Sequence, residues 1–221
     1  MSVSATVARI SRAAAQVGGS FAERIWPRPI VSVDELARFV GQRAALVAQT
    51  TLYGYLKTRM GTKFVRYFED EVFAAGIKAG AVRQFVSCAS DLSVHAAALV
   101  AAAGRLDGEA AAGMARRCFA AALRQGLEDV AAGMVPADAE VAFAARTLRT
   151  DWAGAAEGEA AFARSIADLI GNAPVVDDFK LHDAEIVRAS IRFRWREVRK
   201  ELRRRLDAGA VASDWRAGGP G

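Results

Sequence analysis

Between Ala81 and Ala103 the chain reads AVRQFVSCASDLSVHAAALVAAA, with Val82, Phe85, Val86, Ala89, Leu92, Ser93, Ala96, Leu99 and Val100 recurring at steps of three and four. At 100° per residue these positions span an arc of about 140°, the width of a core-facing helical stripe. A helix this apolar must be surrounded by other helices, so the sequence predicts a central element of an all-α bundle. Gly80 punctuates it on one side and a turn from Gly104 to Gly108 on the other.

The rest of the chain supplies the surrounding helices. Ser32-Val33-Asp34-Glu35 has the form of a capping box, in which the serine hydroxyl serves the amide three residues on and Glu35 reaches back to the cap amide. It predicts a helix from about 33 to 60, stopped at Gly61. Thr62 then caps a helix through KFVRYFEDEVFAAGIKAG, with Phe64, Phe68, Val72 and Ala75 facing inward. Residues 109–133 form an Ala-rich helix, Pro136 opens a short one to about Thr150, and Asp151 to Gly158 is a Gly-rich link. A helix near 160–170 follows, and Pro174 leads into the long last helix. No β-type alternation and no internal repeat interrupts this pattern. The expected fold is one bundle of about six to eight helices over residues 30–208, ending in a long basic helix. Residues 209–221 read as a flexible Gly-rich tail.

Residues 1–29 read as a separate basic amphipathic arm. Val3, Val7, Ile10, Ala14, Val17, Phe21 and Ile25 share a helical face, and Arg9, Arg12, Arg24 and Arg28 stand against Glu23 alone. Trp26-Pro27-Arg28-Pro29 breaks it from the body, because each proline removes a donor and disfavours helix before it.

With 221 residues, 52% hydrophobic and 25% charged, the chain is globular in class and large enough to bury a core. The longest apolar run, Ala96 to Gly104, is shorter than the roughly 20 residues of a bilayer-spanning helix. The start of the chain lacks the apolar core of a secretory signal, so a cytoplasmic location is expected. Cys88 and Cys118, both in helical pattern, read as buried reduced thiols.

Charge is concentrated in one place. From Glu185 to Leu206 nine basic residues face three acidic ones, a balance of +6, whereas the whole chain carries +5, leaving −1 for the remainder. On a helical wheel Val187, Ile191, Trp195, Val198, Leu202 and Leu206 form one apolar face, whereas Val175, Phe179, His182, Ile186 and Phe193 form another. The helix is therefore expected to change its packing face midway, wedged between neighbours or shared with a second chain in a homo-oligomer. Arg188, Arg192, Arg196, Arg199 and Arg203 form a stripe beside Trp195. Three readings follow: a solvated face, neutralised in part by acids such as Glu69 and Asp70; a site for an acidic protein or an anionic membrane surface; or a nucleic-acid face. The last is disfavoured, since no stacking platform or nucleic-acid-binding motif accompanies the charge.

Catalytic and metal signals are weak. Asp91 precedes His95, and Asp178 precedes His182, by one helical turn, with Glu185 following His182. The Glu-x-x-His pairs of di-metal bundles are missing, and His95 reads as a boundary histidine bonded to a nearby acid. Ser87, Ser90, Asp91 and His95 share a helix, but mid-helix amides are already bonded and cannot form an oxyanion hole. No phosphate-binding loop and no dinucleotide fingerprint occurs, and no cofactor is called for.

The strings AQTTLYGYLKTRMGTKF (48–64), FEDEVF (68–73), CASDL (88–92) and SIRFRWREVRKELRRRLDA (190–208) resemble an uncharacterised bacterial family of small all-helical proteins, some of which carry the automatic label esterase. The resemblance covers most of residues 32–208. It implies a family domain and, through the label, a hydrolase, with no catalytic residue to assign. The residues themselves favour a non-catalytic cytoplasmic protein, peripheral on the inner membrane, that binds an acidic partner through Arg188, Arg192, Trp195, Arg196, Arg199 and Arg203. A small hydrolase or a metal-dependent helical-bundle enzyme is the alternative.

Overall fold

A computed structural model describes residues 28–61, 70–128 and 134–218. Among them are eight α-helices: α1 (Val33–Met60), α2 (Glu71–Gly104), α3 (Gly108–Leu127), α4 (Ala139–Thr147), α5 (Trp152–Glu157), α6 (Ala163–Asn172), α7 (Asp177–Arg205) and α8 (Ala208–Gly218). A short 3-10 turn, Ala160–Phe162, precedes α6. The protein is an all-α bundle, and the amphipathic arm expected before residue 28 lies outside the described residues.

Local chemistry sets the helix ends. Ser32 Oγ accepts from the Glu35 amide at 3.3 Å, and Glu35 reaches back to the amide of Val31 rather than that of Ser32. Gly61 closes α1 at φ 56°, a left-handed value that favours glycine. Asp70 caps α2 by accepting from the amides of Val72 and Phe73. Arg105, at φ 53°, ends it. Asp107 and Asp207 cap α3 and α8 through the amides of Ala110 and Ala210.

Helix α2 is the hub, packed by α1, α3, α5, α6 and α8. From Val82 to Ala98 every residue except Arg83 is buried, Ser93 and His95 included. Four expectations change here. Val72 and Ala75, expected to face inward, are exposed, and the Thr62 cap with Phe64 and Phe68 lies outside the described residues. Gly80 does not punctuate the helix: α2 runs through it unbroken, and Gly80 is buried beside Pro174 of the link before α7. Asp151 to Gly158 is not a loose link but holds α5. The residues after 208 are not a tail: α8 buries Val211, Ala212 and Trp215, and a Cβ on Gly104 would come within 2.4 Å of that of Ala212.

The continuous α2 is long and apolar enough to cross a bilayer by length and composition, but 89% of that window is buried inside the bundle. It is the core helix here. Cys88 and Cys118 are free and buried, and burial pushes the Cys118 thiol up to about 12.

The two ends of the described body are joined. Ile30 pairs with the end of α7, its amide donating to Arg205 O at 2.8 Å and its carbonyl accepting from the Asp207 amide at 3.0 Å. Asp214 accepts from the Val33 amide at 2.8 Å. This closure fixes the carboxyl half of α7 against α1.

Candidate functional site

Helix α7 buries one continuous row, Asp183, Val187, Ile191, Trp195, Val198 and Leu202. The expected change of face does not occur. The second apolar row is only partly covered by the described residues: Val175 packs against the core and the Arg59 guanidinium lies 4.7 Å over the Phe179 ring, whereas Phe179 stays 45%, Ile186 73% and Phe193 52% exposed. Seven-residue spacing sets these three side chains along one line of the helix.

Trp195 belongs to the core and not to the surface. It is 1% exposed, packs against Phe162 with ring centroids 4.5 Å apart and planes tilted by 34°, and donates from Nε1 to Ser165 Oγ at 3.0 Å. Ser165 ties three helices together: its amide donates to Asp91 at 2.7 Å and its carbonyl accepts from Gln84 at 3.0 Å. Asp91, fully buried, is also held by Arg146 at 2.7 Å. Burial pushes its carboxyl pKa up, and the Arg146 charge and the Ser165 bonds oppose that rise.

With Trp195 fixed inward, the stripe arginines ring its outer edge. Arg188, Arg192, Arg196 and Arg199 line one wall of a cleft of about 350 Å³, and Ala163, Ile166 and Ala167 of α6 line the other, with Phe162 and Trp195 between. Arg192 and Arg196 are exposed, Arg188 and Arg199 half-buried. Arg199 Nε is buried without a hydrogen-bond partner among the described residues. Arg203 leaves the group and donates to Ala156 O at 3.3 Å, near the carboxyl end of α5.

The distribution of carboxylates explains why the two sides of α7 differ. On the inner side Glu201 joins Arg43 at 2.5 Å and Arg205 at 3.0 Å, and Asp183 pairs with Arg59. Burial pushes the Glu201 carboxyl up, but Arg43 and Arg205 together bring it below the ordinary glutamate value. On the outer side Glu185 takes Arg188 at 3.4 Å. Among the described residues no carboxylate forms an ion pair with Arg192, Arg196, Lys200 or Arg204. Asp70 is used as a helix cap, and Glu69 lies outside the described residues.

The catalytic candidates are dispersed by their own bonds. Ser87 donates to Asp168, and Ser90 accepts from Arg146 at 2.7 Å. His95 is a core residue, not a boundary one, and binds no acid: Nδ1 donates to Ala155 O at 2.8 Å, and Nε2 has no partner among the described residues. Burial drives its pKa down to about 4, the Ala155 bond opposing and Arg199 and Arg203 adding to the drop. His182 is exposed. Among the described residues no three His, Cys, Asp or Glu side chains converge as a metal site.

Sequence reasoning named the arginines but missed Ser165, Arg146 and the α6 wall.

 Ile166 and Leu169 mark α6 as amphipathic, but no pattern in the chain says which helix receives them. Comparison of the chain with protein-family models, curated proteins and solved structures finds no match.

Proposed function

We propose that the protein is a non-catalytic helical module that binds an anionic membrane surface through the outer side of α7, peripheral on the cytoplasmic face. One observation carries the reading. The exposed row Phe179, Ile186 and Phe193 runs along the same helix as Arg192, Arg196, Lys200 and Arg204, which have no internal carboxylate among the described residues. Helices that lie in a lipid interface combine these two features: apolar side chains enter the acyl boundary while cations meet the headgroups. Each lysine or arginine near such a surface contributes about 1 kcal/mol.

Other features favour surface binding over chemistry at this site. The cations stand on a helix anchored to α1 along its length, by Arg59 to Asp183 and by Arg43 to Glu201. The groups that resemble a hydrolase are tied up in core bonds, with no hydrogen bond between Ser87 or Ser90 and His95. An acidic protein would use the arginines equally well, but has less use for a row of exposed Phe and Ile flanked by cations.

Sedimentation with vesicles tests this directly. Protein should pellet with phosphatidylglycerol-containing vesicles and remain soluble with pure phosphatidylcholine, with binding that weakens as salt rises. Equal recovery in both pellets, or in neither, rejects the proposal.

A further inference from the structure

The cleft between α6 and α7 is a more specific feature than a charged surface. We infer that it is a binding site for a phosphate monoester carried on an apolar chain, such as the headgroup of a phosphatidic acid. The inference rests on the membrane-surface reading above and names the lipid chemistry that this surface selects.

Charge selects the head. Glu185 already occupies Arg188, so Arg192, Arg196 and Arg199 remain, against Glu159 as the one carboxylate lining the cleft. Three guanidinium groups and one carboxylate leave two positive charges. That matches a phosphate monoester, which carries between one and a half and two negative charges at neutral pH, better than the single charge of a phosphodiester. Guanidinium forks also fit phosphate oxygens in pairs.

Shape selects the tail. The wall opposite the arginines is apolar, made by Ala163, Ile166 and Ala167, with Phe162 and Trp195 at the base. Ala163 and Ala167 are exposed, and small side chains there keep the cleft open. At about 350 Å³ it lies at the lower end of the range for small-ligand sites. Its size suits a headgroup and the first carbons of a chain. Inorganic phosphate shares the head chemistry but makes no use of the wall.

Titration calorimetry with soluble dihexanoyl phosphatidic acid, dihexanoyl phosphatidylglycerol and inorganic phosphate separates these sources. Phosphatidic acid should bind one to one, at least about tenfold more tightly than either of the others. The double variant Ala163→Phe, Ala167→Phe fills the cleft from two exposed positions without changing charge. It should lose that binding by about tenfold or more while still pelleting with phosphatidylglycerol vesicles. Ala167→Glu, which adds a carboxylate to the cleft, should show the same loss, with circular dichroism confirming that each variant is folded. Equal affinity for monoester and diester, equal affinity for inorganic phosphate, or undiminished binding by the folded variants overturns the inference. If vesicle pelleting by the unaltered protein also fails, the surface reading fails; if pelleting persists, only the cleft assignment does.

Discussion

Gly158 and Arg199 meet at a contact that a larger residue would disturb: a Cβ on Gly158 would lie 2.8 Å from the Arg199 guanidinium carbon, and Gly158 itself has φ 119°. An L-residue is strained at that angle and would also push Arg199 from its place beside the cleft. Gly158→Ala should therefore cost about 1–3 kcal/mol in chemical denaturation. The same variant should weaken phosphatidic acid binding, which a change confined to the α5 end would leave alone.

Trp195 and Phe193 stand two residues apart and should behave in opposite ways. Trp195→Ala removes a fully buried ring and is expected to cost about 3–5 kcal/mol. Phe193→Ser changes a half-exposed ring and should alter stability by no more than about 0.5 kcal/mol. The serine variant should nevertheless lose vesicle binding, and urea unfolding together with sedimentation measures both effects.

Arg146→Ala leaves the buried carboxylate of Asp91 with the Ser165 amide but without its counter-charge. Removing one partner of a buried pair typically costs about 3–5 kcal/mol, and the loss should appear as a lowered denaturation midpoint. Arg146→Ala and Asp91→Asn combined should cost less than the sum of the two single changes, because the buried charge is then gone.

Acidification should destabilise the fold through two groups. His95 has a folded pKa of about 4 against an ordinary value of 6.5, so the unfolded chain takes up its proton first as pH falls. Its contribution is complete above about pH 6.5 and is lost between there and about pH 4, on the order of 3 kcal/mol in all. Glu201, whose folded pKa is lowered, adds a further loss below its ordinary value. In His95→Gln the stability between pH 4 and 6.5 should depend less on pH, as followed by urea denaturation at each pH.

The helices were legible in the chain where local chemistry fixes them. Ser32, Glu35 and Gly61 bound α1 as their spacing predicts, and the apolar arc from Val82 to Val100 does form the core helix. What could not be read is what each surface meets. Gly80 looks like a helix stop, yet α2 runs through it and buries it beside Pro174, a residue far along the chain. The glycines after 208 hid α8, although Asp207 as a cap and the Val211, Ala212, Trp215 spacing were signals for it.

The site was legible in its charges and not in its geometry. The wheel grouped Arg188, Arg192, Arg196 and Arg199 correctly, but burial of Trp195 depends on Phe162 and Ser165, which no local pattern connects to it. The same wheel found the Phe179, Ile186, Phe193 row and could not say that the bundle leaves Ile186 and Phe193 exposed.

The central claim is that the outer cations of α7 act on anions outside the protein. Its most direct test is the vesicle partition coefficient of the variant Arg192→Gln, Arg196→Gln, Lys200→Gln, Arg204→Gln, measured against the unaltered chain on phosphatidylglycerol-containing vesicles. At about 1 kcal/mol for each charge, the four changes should weaken partition roughly a hundredfold or more while leaving the fold intact. A folded variant that partitions as well as the unaltered protein contradicts the account.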